Sequence, residues 1–156
     1  MMESTPTYNL AFLLLLGSRT VIDHLHQHMA ARGYDDVRPA HGFAFQRIAP
    51  HGATGNELAE FLDITKQAVS EMVEYLEQRG YVVRQPHPSD KRGKIILLTE
   101  RGWNCIREAE AILSHLEAQW AAIIGAKRME ELQATLYQLV TVAHGGTLPQ
   151  KFRPIW

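Results

Sequence analysis

Apolar residues recur with helical period from Tyr8 to Arg32, where Leu10, Leu14, Gly17, Val21 and Leu25 fall on one stripe. Phe12, Leu13, Leu15 and Leu16 fill the other sides of the same turns. A helix that is apolar all round must be covered on more than one face. A chain this short has little material for that, so the pattern predicts a second subunit. Gly33 ends the segment. Pro39 then opens a short helix over residues 39–48, with Phe43 and Ile48 available for packing.

A tight pair of helices follows. Thr54 with Glu57 three residues on is a capping box, and Leu58, Ala59 and Leu62 share one face of the helix it starts. The turn is Asp63-Ile64, and Thr65 caps a second helix that ends at Gly80. Val69, Met72, Val73 and Leu76 form its buried stripe. Lys66, Gln67, Ser70, Glu71 and Glu74 form an opposite stripe that the core does not need. Residues 81–85 and 95–99 read as strands of a hairpin, stiffened by Pro86 and Pro88 and turned at Gly93. Thr99 starts a long helix carrying Trp103, Ile106, Leu113, Leu116, Trp120, Ile123 and Ile124 at helical spacing, and Gly125 interrupts it. A last helix carries Leu132, Leu136, Leu139, Val140 and Ala143 and stops at Gly145-Gly146. The pattern predicts a mainly α chain with one small antiparallel ribbon in its middle.

The 156 residues suit one domain, and 46% hydrophobic content is enough to form its core. The longest apolar run near the start, Leu10 to Leu16, is far below the roughly 20 residues that span a bilayer. With no basic cluster before that run, the chain reads as cytoplasmic and without membrane association. The single cysteine, Cys105, excludes an intrachain disulfide and sits where an inert packed thiol is expected.

Charge changes the picture more. The net charge is −1, yet residues 79–102 hold Arg79, Arg84, Lys91, Arg92, Lys94 and Arg101 against Asp90 and Glu100. That segment is +4 and the remainder is −5. A basic hairpin on an acidic body is what phosphate neutralisation requires. Lys66, Gln67 and Ser70 can reach base edges or phosphates from a helix laid in a major groove. Arg92 can enter the flanking minor groove, with Asp90 expected to orient its guanidinium. Duplex DNA is therefore the predicted partner.

At this point the residues carry a family resemblance. Glu57-Leu58-Ala59, Val69-Ser70, Leu76, Gly80-Tyr81-Val82, Asp90-Lys91-Arg92 and Leu98-Thr99-Glu100-Arg101-Gly102 resemble the MarR (multiple antibiotic resistance regulator) family. Pro86-His87-Pro88-Ser89 departs from the usual approach to the wing. The resemblance implies a mainly α winged helix–turn–helix, with a small antiparallel β-wing and long N- and C-terminal dimerisation helices. Residues 1–156 would form one MarR-like domain, with 36–99 the DNA-binding part and 1–35 and 100–156 the dimerisation part. It also implies a homodimer on pseudo-palindromic operators, usually a repressor, released by a small and often aromatic ligand. Carried onto this chain, residues 65–71 begin the recognition helix, and Arg92 is the wing arginine. The candidate DNA-contact set is Thr65, Lys66, Gln67, Ser70, Glu71, Arg84, Asp90, Lys91, Arg92 and Lys94. His41 and Phe45 are the candidate ligand-pocket residues, near where family pockets lie.

Two alternatives stand beside that reading. Glu71 and Glu74 on the exposed stripe would repel phosphate, which suits a winged-helix protein-interaction module. His24 and His28 share a helix face at i, i+4, the start of a zinc-responsive site, although solvated histidines and no metal or cofactor are the expectation. No nucleophile elbow, phosphate-binding glycine loop or carboxylate pair is visible, and Ser70 has no base partner, so no enzyme is predicted. Phe152, Ile155 and Trp156 make an apolar tail, expected to pack across the dimer interface.

Overall fold

The computed structural model describes residues 8–152. Six helices and one hairpin follow in order: α1 (Leu10–Ala31), α2 (Pro39–Ile48), α3 (Gly55–Leu62), α4 (Lys66–Gln78), β1 (Val82–Pro86), β2 (Lys94–Leu98), α5 (Glu100–Ile124) and α6 (Ala126–Ala143). The capping signals set these boundaries. Thr54 accepts the Glu57 N–H at 3.2 Å while the Glu57 carboxylate takes the Thr54 N–H at 2.8 Å, completing the reciprocal box. Thr65 and Thr99 cap α4 and α5 without the reciprocal bond, accepting the N–H groups of Ala68 and Gly102. Asp63 takes the left-handed conformation (φ 51°) that ends α3 and turns the chain into α4.

The core lies among α2, α3, α4 and the hairpin, where Phe45, Ile48, Leu58, Leu62, Val69, Leu76, Tyr81 and Val82 are fully buried. The expected stripe of α4 is the buried one, with Met72 at its half-buried margin. The strands pair antiparallel, from Val82 opposite Leu98 to Pro86 opposite Lys94. Each lies one residue off the sequence expectation. Thr99 is spent on capping α5, although its N–H still reaches the Tyr81 carbonyl at 3.0 Å. Ala53 adds a one-residue bridge to Ile96, which draws the loop before α3 onto the wing.

The wing tip is built differently from the sequence expectation. Gly93 does not adopt a positive φ, and a side chain there would meet only ordinary contacts. Instead Asp90 Oδ1 accepts the backbone N–H of Arg92 at 2.9 Å, and Gly93 N–H reaches the Asp90 carbonyl at 3.2 Å. His87 Nδ1 accepts the N–H groups of Ser89 and Asp90, both at 3.2 Å, so the Pro-His-Pro approach folds into the tip.

Helix α1 buries only Met29 within the chain, while Leu10, Phe12, Leu13, Leu14, Leu15 and Leu16 are all exposed. Leu132, Leu139, Val140 and Val142 of α6 are exposed likewise, as is Ile123 at the end of α5. The tail folds onto its own chain: Phe152 stacks on Phe43 at 5.2 Å, lies 6.2 Å from the Phe61 ring, and donates its N–H to the Phe61 carbonyl at 2.8 Å. That bond satisfies a carbonyl in the last turn of α3, which has no partner within the helix. Ile155 and Trp156 lie outside the described residues.

Candidate nucleic-acid interface

Helix α4 presents Lys66, Gln67, Ser70, Glu71 and Glu74 to solvent because Val69, Val73 and Leu76 fix its other side in the core. Gln67 donates to Glu71 at 3.3 Å, so the amide partly occupies that carboxylate. Between the start of α3, this stripe and the wing lies a cleft of about 440 Å³, lined in part by Asn56, Lys66, Ser70, Arg84 and Lys94. Lys91 and Arg92 stand exposed at the wing tip, and Lys94 stands exposed at the foot of β2. The structure thus brings the stripe of α4 and the basic wing to the two sides of one cleft.

Three members of the sequence-derived set have other duties. Thr65 spends its hydroxyl oxygen on the α4 cap. Arg84 grips Glu77 with Nη2 at 2.6 Å and Nε at 3.0 Å, a pair that ties the wing to α4 and holds the Glu77 carboxyl below the usual range. Asp90 holds the backbone of Arg92 rather than its guanidinium, so it shapes the turn that projects the arginine.

Behind α4 is a polar cluster that sequence reasoning missed. Asp36, in the loop between α1 and α2, accepts the Tyr75 hydroxyl on its carbonyl at 2.7 Å and the Tyr81 hydroxyl on Oδ1 at 2.6 Å. Its Oδ2 faces Arg79 at 3.6 Å and Arg101 at 3.9 Å. Arg101 also donates to the Tyr81 hydroxyl at 3.0 Å. Burial first, and then the bond to Asp36, push the Tyr81 hydroxyl above its ordinary pKa. The signal available in the sequence was tyrosine, rather than phenylalanine, at two packed positions, since a buried hydroxyl wants a partner.

A second, apolar chamber of about 250 Å³ lies among α1, α2 and α5, lined by Leu25, Met29, Phe45 and Ile106, with His26 and Arg38 at its polar side. Phe45 is among the residues that line it. His41 lines a neighbouring recess instead, because its Nδ1 accepts the Arg38 N–H at 3.0 Å and its ring stacks on Tyr75. Burial holds His41 down at about 4. Cys105 touches the chamber but is buried, which pushes its thiol up to about 12 and away from the reactive thiolate.

The rings of His24 and His28 lie 4.1 Å apart. Among the described residues, however, no three His, Cys, Asp or Glu side chains are arranged to hold a metal ion. Among the same residues no helix is long and apolar enough to cross a membrane.

A helical pair with a polar outer stripe, flanked by a basic two-stranded wing, defines a winged helix–turn–helix protein. Residues 36–93 match the model of the MarR family. The architecture is similar to MarR from E. coli in its apo form, at TM-score 0.67 and 21% identity over 86% of this chain and 98% of that one. It is similar to MepR, a transcription regulator of the Staphylococcus aureus multidrug efflux pump MepA, at TM-score 0.71 and 20% identity over 87% and 99%. It is also similar to the transcriptional repressor CouR bound to a 23-mer DNA duplex, at TM-score 0.66 and 24% identity over 84% and 92%. At these identities the likenesses establish a shared fold.

Proposed function

We propose that this protein is a dimeric transcriptional regulator that represses from pseudo-palindromic operators. Residues 36–99 form the DNA-binding part, and residues 1–35 and 100–156 the dimerisation part. Each subunit lays α4 in a major groove and reaches the flanking minor groove with Arg92. The observation that carries this reading is the shared cleft, with Lys66 and Ser70 of α4 on one side and Arg84 and Lys94 of the wing on the other. Lys66, Gln67 and Ser70 read bases or phosphates, while Lys91, Arg92 and Lys94 neutralise phosphates. Twofold symmetry then sets half-site centres about one turn, roughly 10 bp, apart.

The exposed apolar faces of α1 and α6 support dimerisation, since patches of that extent on one molecule mark an interface. The chamber beside Phe45 suits a small aromatic effector that releases DNA: its walls are apolar, and a guanidinium stands at its edge. Glu71 and Glu74 favour the second reading, a protein-interaction module.

Binding of the purified protein to its own upstream DNA, at two salt concentrations with a random duplex as control, separates the two. The regulator binds its site selectively and more weakly as salt rises. Arg92→Ala is expected to lower affinity and flatten the logarithmic salt slope by about one. Absence of binding to any duplex at low salt would overturn the regulator reading.

A further inference from the structure

We propose that Asp36 is the positioning residue that fixes the orientation of α4 and the wing relative to α5. The inference rests on the reading of α4 as the helix that enters DNA. Asp36 belongs to neither reading element, yet it bonds to the root of each. Its carbonyl holds Tyr75, in the last turn of α4, and its carboxylate faces Arg79, the residue that caps that helix. The same carboxylate holds Tyr81, the residue before β1, and faces Arg101, the second residue of α5.

The cluster is arranged around a single anion. The Arg79 guanidinium lies 3.6 Å from the centre of the Tyr75 ring, and that of Arg101 lies 4.6 Å from the Tyr81 ring. Two cations, each lying over a tyrosine ring, therefore converge on one carboxylate. Removing its charge leaves two guanidinium groups repelling each other at the junction of three elements. Asn in its place keeps an oxygen for Tyr81 and a carbonyl for Tyr75, so the shape survives while the attraction does not.

Geometry amplifies the effect. Helix α4 has 13 residues and is about 20 Å long. Its tether to Asp36 is at the C-terminal end, whereas Lys66, Gln67 and Ser70 are at the other. A tilt of roughly 5° about the tethered turn at Tyr75, about 13.5 Å from Lys66, moves that first residue by about 1.2 Å. Base-edge hydrogen bonds do not survive that displacement. Phosphate attraction falls off gently with distance and does survive it. Asp36 therefore controls selectivity rather than general affinity for DNA.

The test is Asp36→Asn in the full chain, with binding measured on the operator and on a random duplex. The expected result is a fall of about tenfold or more in the ratio of the two affinities. Random-duplex affinity should stay within about twofold, with the salt slope unchanged. An unchanged ratio overturns the proposal, as does an equal loss on both duplexes with a lowered thermal midpoint, which would mark a merely structural residue.

A second measurement reads orientation without DNA. Spin labels on S70C in α4 and S114C in α5, in a C105S background diluted with unlabelled chain, report the distance between the helices. Asp36→Asn should shift or broaden that distance distribution, and an unchanged distribution overturns the proposal. If the wild-type protein binds no duplex at all, the DNA reading fails. The distance measurement then decides the role of Asp36 alone.

Discussion

His41 has contacts that its place in the sequence does not announce. Its position after Pro39 suggests a pocket wall, but its ring turns inward, stacks on Tyr75 at 5.0 Å and caps the backbone of α2. Spacing alone could not reveal this, because Glu or Gln, not His, is the usual third residue of a capping box. The consequence is a pH dependence with a definite sign. Folded His41 stays neutral down to about 4, whereas the unfolded side chain takes a proton near 6.5. Between those values the unfolded state binds more protons, so stability is full above 6.5 and falls with acidification towards 4. Denaturant titrations at pH 7 and pH 5 should differ by about 2 kcal/mol from this residue. His41→Gln keeps an acceptor without the titration and should flatten that difference; an equally steep variant would rule His41 out as its source. The Asp36 cluster was illegible for a related reason: its members are up to 65 positions apart (Asp36 and Arg101), and only folding brings them together.

Helix boundaries were legible because their causes are local. Thr54 with Glu57, Thr65 and Thr99 are read within four residues of the bonds they make. The wing was less so. Its turn depends on the Asp90 carboxylate and the His87 ring, and the Ala53 bridge joins residues 43 apart. Gly102 belongs to this scale as well. A Cβ there would collide with the Tyr81 carbonyl, which already receives the Thr99 N–H and hydroxyl where β2 gives way to α5. The nearest obstacle is backbone and cannot swing aside, and the Leu98 side chain closes in beside it. Gly102→Ala should therefore cost roughly 1–3 kcal/mol, measured as a lower urea midpoint at unchanged slope. An unaltered midpoint would mean that the start of α5 shifts without cost. The same collision explains why glycine suits this position although its helix could accept alanine.

Across the whole molecule, the apolar girdle of α1 was visible as leucines on every side of one helix, and the structure leaves those leucines uncovered. The geometry of a partner is not encoded so locally, since it depends on how α1, α5 and α6 are set side by side. Leu14 and Leu139 are each about half exposed. Leu14→Glu and Leu139→Glu combined should convert a dimer to monomer in light scattering, because an unpaired carboxylate is expensive to desolvate; an intact dimer would place the interface elsewhere. Helix α4 carries a wider consequence. Its inner stripe of Val69, Val73 and Leu76 answers to the core, and its outer stripe of Lys66, Gln67, Ser70, Glu71 and Glu74 to whatever lies outside. Exchanges at Lys66, Gln67 or Ser70 should leave folding almost unaffected, since exposed positions away from special contacts alter stability little. On the proposed reading of DNA by these positions, a single exchange re-addresses the molecule in the genome without renegotiating its architecture.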